Sequence, residues 1–314
     1  MTIKVKILAH SITPYSPVPQ LLTFDCLYPR VIHAEVMTHK MLSKNASSSR
    51  AVPTSAIISQ VLNDPYVPLR WGIAGKGMQD HGEMSAAGAQ KQLRLYMQAR
   101  DNALRVVQQM LDTEEKPAKQ IVNRLLEPWS HIRVVISGTT FSNFFALRRN
   151  IHADPVIQAL AEAMWQAYKV SKPDILQPGE WHLPYIVDIE KAALFDLAPE
   201  QRKTAMADLI LVSAGRCART SYNRSDNRAP VAEEDLTLAQ QLINSEPMHA
   251  SPLEHQATPD TFQLFDGGVG GLSRVWDHPT ENGNFAPGWR QFRKTIPGEN
   301  VALYAPEGEN CLIY

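Results

Sequence analysis

The chain lacks most of the signatures by which enzymes and membrane proteins declare themselves. Among its 314 residues are only three cysteines, Cys26, Cys217 and Cys311, odd in number and without C-x-x-C spacing. That argues against a disulfide framework or a structural zinc site, and each reads as a buried small hydrophobe. There is no H-E-x-x-H, G-x-S-x-G, Walker or G-x-G-x-x-G motif, so no metal site and no common nucleophile is expected. No apolar run reaches membrane-span length and no basic start precedes one, which predicts a cytoplasmic protein without a membrane partner. The formal net charge is −1, so no general field draws nucleic acid, and any phosphate site must be local. No repeat of solenoid period occurs.

What is present is a globular composition, 44% hydrophobic and 20% charged, enough for a sizeable core in one large or two ordinary domains. The chain is organised around Thr38–Arg50. The preceding residues 30–37 read as a helix, with His33, Val36 and Lys40 on one face and Ile32, Glu35 and His39 on the next. Then follows a polar, hydroxyl-rich run with no apolar repeat, ending on Arg50, with Pro53 barring helical continuation. Hydroxyls, Asn45, His39 and the cations Lys40, Lys44 and Arg50 suit phosphate and a polar heterocycle. A solvated Ser-rich loop accounts for the composition equally well.

Strands are predicted at residues 3–9, 21–28 and 132–137, and long helices at 86–115, 155–170 and 199–220. Shorter helices are expected at 119–127, from Gly138-Thr139-Thr140 through Arg149, and at 233–244. Asp154-Pro155 reads as a cap and first helical residue. Ser251-Pro252-x-Glu254 reads as a capping box. Residues 52–85 read as loop, where Trp71-Gly72 to Gly77-Met78 can bring backbone close to a flat molecule. Short strands and loops are expected over 260–277 and 284–294.

Taken together, several clusters resemble the flavin-dependent thymidylate synthases. Against that family's R-H-R-x-x-S-x-x-x-x-S-x-R motif, His39, Ser43, Ser48 and Arg50 match, Lys40 keeps the charge, and Thr38 and Ala46 depart. Asn143, Leu147-Arg148 and His152 resemble its N-x-x-x-L-R-x-x-x-H segment, and Arg124 resembles its second nucleotide-binding arginine. Arg219-x-Ser221-Tyr222 resembles R-x-S-[YF], and His249-x-Ser251-Pro252-x-Glu254-His255 resembles H-x-[ST]-P-x-E-H. These last two elements follow the arginine-rich ones here, whereas in common members they precede them. The order is that of a circular permutation.

The resemblance implies an α/β (α+β) fold, a mixed β-sheet flanked by long helices. It implies one domain over residues 1–314, with the first motif half in 1–175 and the second in 176–314, assembled as a homotetramer. It implies methylation of dUMP to dTMP with FAD as cofactor and methylenetetrahydrofolate and NADPH as co-substrates. Arg148 is then the catalytic candidate. Glu35, Ser48, Ser49, Arg50, Arg124 and Arg148 form the dUMP set. His39, Lys40, Ser43, Asn45, Asn143, His152, Ser221, Ser251 and Glu254 form the flavin set. Two alternatives stand beside this: C5 hydroxymethylation of dUMP or modification of another pyrimidine nucleotide, and a non-catalytic nucleotide-binding protein on the same scaffold.

Overall fold

The computed structural model describes residues 2–15, 17–76, 81–220, 230–266 and 272–299; Ser221 and Cys311 lie outside them. Strand alternation builds the centre of the molecule. The strand β1 (Lys4–Ile12) runs antiparallel to β2 (Leu21–Pro29), and β3 (Ser43–Ala46) lies at one edge of a five-stranded sheet. The strand β4 (His131–Gly138) sits between β2 and β3, antiparallel to both, and β5 (Asp174–Ile175) adds a parallel edge to β1. The sheet is therefore mixed and the fold is α/β, as the sequence predicts.

Successive strand side chains point to opposite faces. Leu22, Phe24, Cys26 and Tyr28 share one face with Ile132, Val134 and Ile136, covered by α5 (Phe141–Arg148) and α6 (Pro155–Val170). Asp154 caps α6 as expected, its carboxylate accepting from the N–H groups of Val156 and Ile157. The other face carries Thr23, Ser43, Asn45 and Ser137, all buried. It is closed by α8 (Pro199–Ala218) and residues 251–259. The helix α9 (Ala232–Ile243) lies so close to α8 that a Cβ on Gly215 would meet the Asp235 carbonyl oxygen at 2.0 Å. Only glycine allows that approach.

A second apolar cluster joins Val61, Val107, Val122 and Leu126. These come from α2 (Thr54–Asn63), α3 (Ala86–Leu111) and α4 (Lys119–Arg124) and the turn after it. The remaining described helices are α1 (His33–Met37) and α7 (Asp188–Ala192). In the last part of the described chain, β6 (Ala257–Pro259) pairs with β9 (Trp289–Gln291), and β7 (Phe262–Asp266) pairs antiparallel with β8 (Leu272–Trp276). No described helix is long and apolar enough to cross a membrane.

Three expectations need correction. The Ser-rich run is not uniformly a solvated loop. Residues 43–46 form an edge strand because the covering 251–254 turn and Cys217 supply hydrogen bonds to its polar side chains. The 52–85 segment contains α2, and Pro53, read as a barrier to helix, instead stands at the N-cap of α2. The Ser251–Glu254 segment is a single 3-10 turn with no side-chain cap, not a capping box.

Candidate functional site

The C-terminal residue of α5 is the hub. Arg148 Nε donates to His39 Nε2 at 2.9 Å, Nη1 to Glu35 at 2.8 Å and Nη2 to the Thr38 hydroxyl at 3.4 Å. The helix α1 sets Glu35, and the turn after it sets Thr38 and His39. A guanidinium has five N–H donors. Three are used, leaving one on each terminal nitrogen for a ligand. Because His39 Nε2 accepts, its ring is neutral with the proton on Nδ1. Burial, Arg148 and Lys44 all hold its pKa below the ordinary histidine value. The ring stands edge-on to Phe144, centroids 5.0 Å apart.

Lys44 ties this turn down. Its Nζ donates to the carbonyls of His39 at 2.5 Å and Leu42 at 2.7 Å. Burial pushes its amine down to about 8, against an upward pull from Glu254. Beside the hub opens a cavity of about 520 Å³, lined by Glu35, Arg148 and His152 together with Arg70, Ile73 and His81.

A second cluster joins β3 to the 251–254 turn. Asn45 donates to the Cys217 carbonyl at 2.7 Å and accepts from the Ser251 hydroxyl at 3.3 Å. Ser43 accepts from Asn284 at 3.3 Å and Gln291 at 3.4 Å. Glu254 forms an ion pair with Arg293. The side chains of Ser43 and Asn45 are thus buried and bonded to this chain's own groups, and Lys44 lies between this cluster and the Arg148 hub.

The other candidates are dispersed. Ser48 accepts from the Arg50 N–H at 3.2 Å, and the Ser49 carbonyl accepts from Asn123 at 2.8 Å. Ser49 lines a separate cavity of about 190 Å³ with Ser47, Asn123, Arg30 and Arg133. Both of those arginines are already paired, to Glu127 at 2.9 Å and to Asp25. Arg50, Arg124, Asn143 and Lys40 are exposed. Among the described residues no hydrogen bond or ion pair joins Arg50 or Arg124 to the Arg148 hub.

Sequence reasoning missed Arg70, His81 and Asn123, and took Lys44 only as a cation for phosphate, not as the group that ties down the turn after α1. For Lys44 a signal exists: it is the middle residue of Ser43-Lys44-Asn45, and a strand there turns it to the Ala46 face, away from Ser43 and Asn45. For Arg70 and His81 none exists, because only tertiary folding brings them to Arg148.

No family model and no curated protein matches the chain. Among solved structures, it resembles the UMP/dUMP methylase PolB from Streptomyces cacaoi. The form bound with 5-Br UMP is 19% identical, covers 53% of this chain and 88% of that chain, and gives a TM-score of 0.41. The form bound with 5-Br dUMP is 19% identical, covers 53% and 90%, and gives 0.43. The likeness extends over about half of this chain.

Proposed function

We propose that the protein methylates dUMP to dTMP as a flavoprotein, using FAD, methylenetetrahydrofolate and NADPH, in a homotetramer. One observation carries the reading. Arg148 bonds His39 and Glu35, which lie 109 and 113 positions away in the chain. Residues singled out from separate motif segments therefore converge on one hub beside a cavity of ligand size. The exposed apolar residues Leu95 and Val106 on α3 support assembly through that helix.

The donor set fits FAD in part. His39 through its Nδ1 N–H, His152 on the cavity wall, and the exposed Lys40 and Asn143 would hold it. Ser43 and Asn45 are spent on internal bonds, and with Ser251 and Glu254 they hold β3 against its covering turn. Reduced FAD held there would supply the hydride that completes the methyl group. The chain's own work is placement and charge. Glu35, Thr38 and His39 fix the plane of Arg148, so its two remaining N–H groups are pre-aimed at an anionic or carbonyl oxygen. Neutral His39 offers its Nδ1 proton as a donor. Ser48, Ser49, Arg50 and Arg124, dispersed from the hub within one chain, would complete the dUMP set across subunits of the homotetramer.

The test is product analysis by mass after incubating the protein with dUMP, FAD, methylenetetrahydrofolate and NADPH. A methyl increment supports the reading. A hydroxymethyl increment, or no product, contradicts it.

A further inference from the structure

The smaller cavity, of about 190 Å³, shares no lining residue with the one beside Arg148. Its walls are fixed by bonds between distant parts of the chain. Asn123 Nδ2 donates to the carbonyls of Ser49 at 2.8 Å and Val52 at 3.0 Å, so α4 holds the loop after β3. The Gln60 side chain accepts from the His131 N–H at 3.0 Å, which ties α2 to the start of β4. The Ser47 N–H donates to the Arg133 carbonyl at 2.8 Å, and the Ser47 hydroxyl accepts from the Arg133 N–H at 3.2 Å. Val52 and Ile57 supply apolar surface between these polar groups.

Two polar atoms of this frame are left over. Asn123 is 2% exposed and His131 is 5% exposed, and both line the cavity. Asn123 Oδ1 and His131 Nδ1 are buried without a hydrogen-bond partner among the described residues. Buried polar groups are normally bonded, so two on one cavity mark a place for an outside partner. Their roles are complementary. The Asn123 amide cannot turn over, because its nitrogen is committed to two carbonyls, and its oxygen only accepts. His131 Nε2 accepts from the Thr2 N–H at 3.3 Å, which puts the ring proton on Nδ1. Burial holds that imidazole's pKa below the ordinary value, against the pull of Asp64. The charges on the wall are matched. Arg30 pairs with Glu127 at 2.9 Å, and Arg133 bonds both carboxylate oxygens of Asp25. An uncharged ligand suits such a wall, since it brings no charge to be desolvated. The volume is below that of a whole-nucleotide site and admits a single ring.

We propose that this cavity takes the base of a uracil-type pyrimidine, Asn123 Oδ1 accepting its N3–H and His131 Nδ1 donating to its C2 carbonyl. The choice of a pyrimidine nucleotide as ligand rests on the reading above. Held this way, the ring keeps its opposite edge, C5 and C6, outward. Arg50 and Arg124 directly follow Ser49 and Asn123 in the chain, and both are exposed, so cations stand outside the cavity for the phosphate. Asn123 and His131 are then specificity residues. Cytosine is rejected because its N3 is an acceptor, and the fixed amide can offer it no donor.

The test is isothermal titration of the full chain with dUMP, dCMP and 3-methyl-dUMP. It compares wild type with His131→Phe and Ala56→Leu. Asn123 is left in place because it holds two carbonyls. Ala56 lines the cavity from an exposed position on α2, so Ala56→Leu narrows the space without opening the core, and melting curves check the folding of both variants. Wild type is expected to bind dUMP at least about tenfold more tightly than dCMP or 3-methyl-dUMP. Each variant is expected to lose at least about tenfold in dUMP affinity. Equal affinity for dUMP and 3-methyl-dUMP, variants within about twofold of wild type, or no dUMP binding by wild type overturns the proposal. Imide-selective binding in a protein that makes no dTMP would sink the thymidylate reading and leave the base site standing. Normal dTMP synthesis with dUMP affinity indifferent to both substitutions would do the reverse.

Discussion

Arg148 is the residue on which the account turns, because three side chains from an earlier part of the chain fix its plane. Arg148→Ala is expected to lower kcat/KM for dUMP by about 100-fold or more, the usual effect of deleting one pre-aimed donor. Arg148→Lys is expected to recover little, because a point charge cannot replace the fork. Steady-state kinetics checks both. The stability loss should be small, since Glu35 is partly exposed and water can replace its partner. A large fall in melting temperature with kcat unchanged would assign Arg148 a structural role instead. The side-chain types at this hub were legible in the sequence. The spent state of Ser43 and Asn45 was not, since nothing local says that Cys217, Asn284 and Gln291 will reach them.

At the scale of elements, α8 packs on α9 with Gly215 against the Asp235 backbone. Asp235 is fully buried and accepts from Arg216 at 3.2 Å and from Arg219, while Arg216 also pairs with Glu190 at 2.6 Å. Asp235→Ala leaves two cations without their shared carboxylate and is expected to cost about 3–5 kcal/mol. Gly215→Ala forces a methyl onto the Asp235 carbonyl and is expected to cost about 1–3 kcal/mol. Denaturant unfolding measures both, and losses under about half a kcal/mol would contradict the packing described. The long helices were readable from apolar periodicity, and Asp154-Pro155 from its cap chemistry. The strand β3 and helix α2 were not. A four-residue strand of small polar side chains has no local pattern, and Pro53 looks alike whether it ends one helix or begins another.

Across the whole molecule, the face of the sheet opposite α5 and α6 holds a buried polar chain. Ser11 bonds His182 at 2.8 Å, His182 bonds Thr23 at 2.8 Å, Thr23 bonds Ser137 at 2.6 Å, and Ser137 bonds His255 at 2.8 Å. Burial drives both imidazoles from 6.5 down to about 3. Above pH 6.5 both are neutral in native and unfolded chains, and stability does not depend on them. Below it the unfolded chain takes up protons that the native chain refuses until about pH 3. Native stability should therefore fall with decreasing pH by up to roughly 1.4 kcal/mol per pH unit for each histidine. Urea unfolding between pH 7 and pH 4 checks this, with His182→Gln expected to flatten the slope. A slope unchanged by that substitution would contradict the burial argument.

The 39–50 and 148–152 segments meet at the hub, and the 251–254 turn closes on β3 immediately beside it. The claim that this arrangement serves a flavin is tested most directly by the visible absorption spectrum of the purified protein incubated with FAD, recorded before and after anaerobic addition of NADPH. The account predicts a bound-flavin spectrum that bleaches on NADPH addition. A protein that retains no flavin would contradict it.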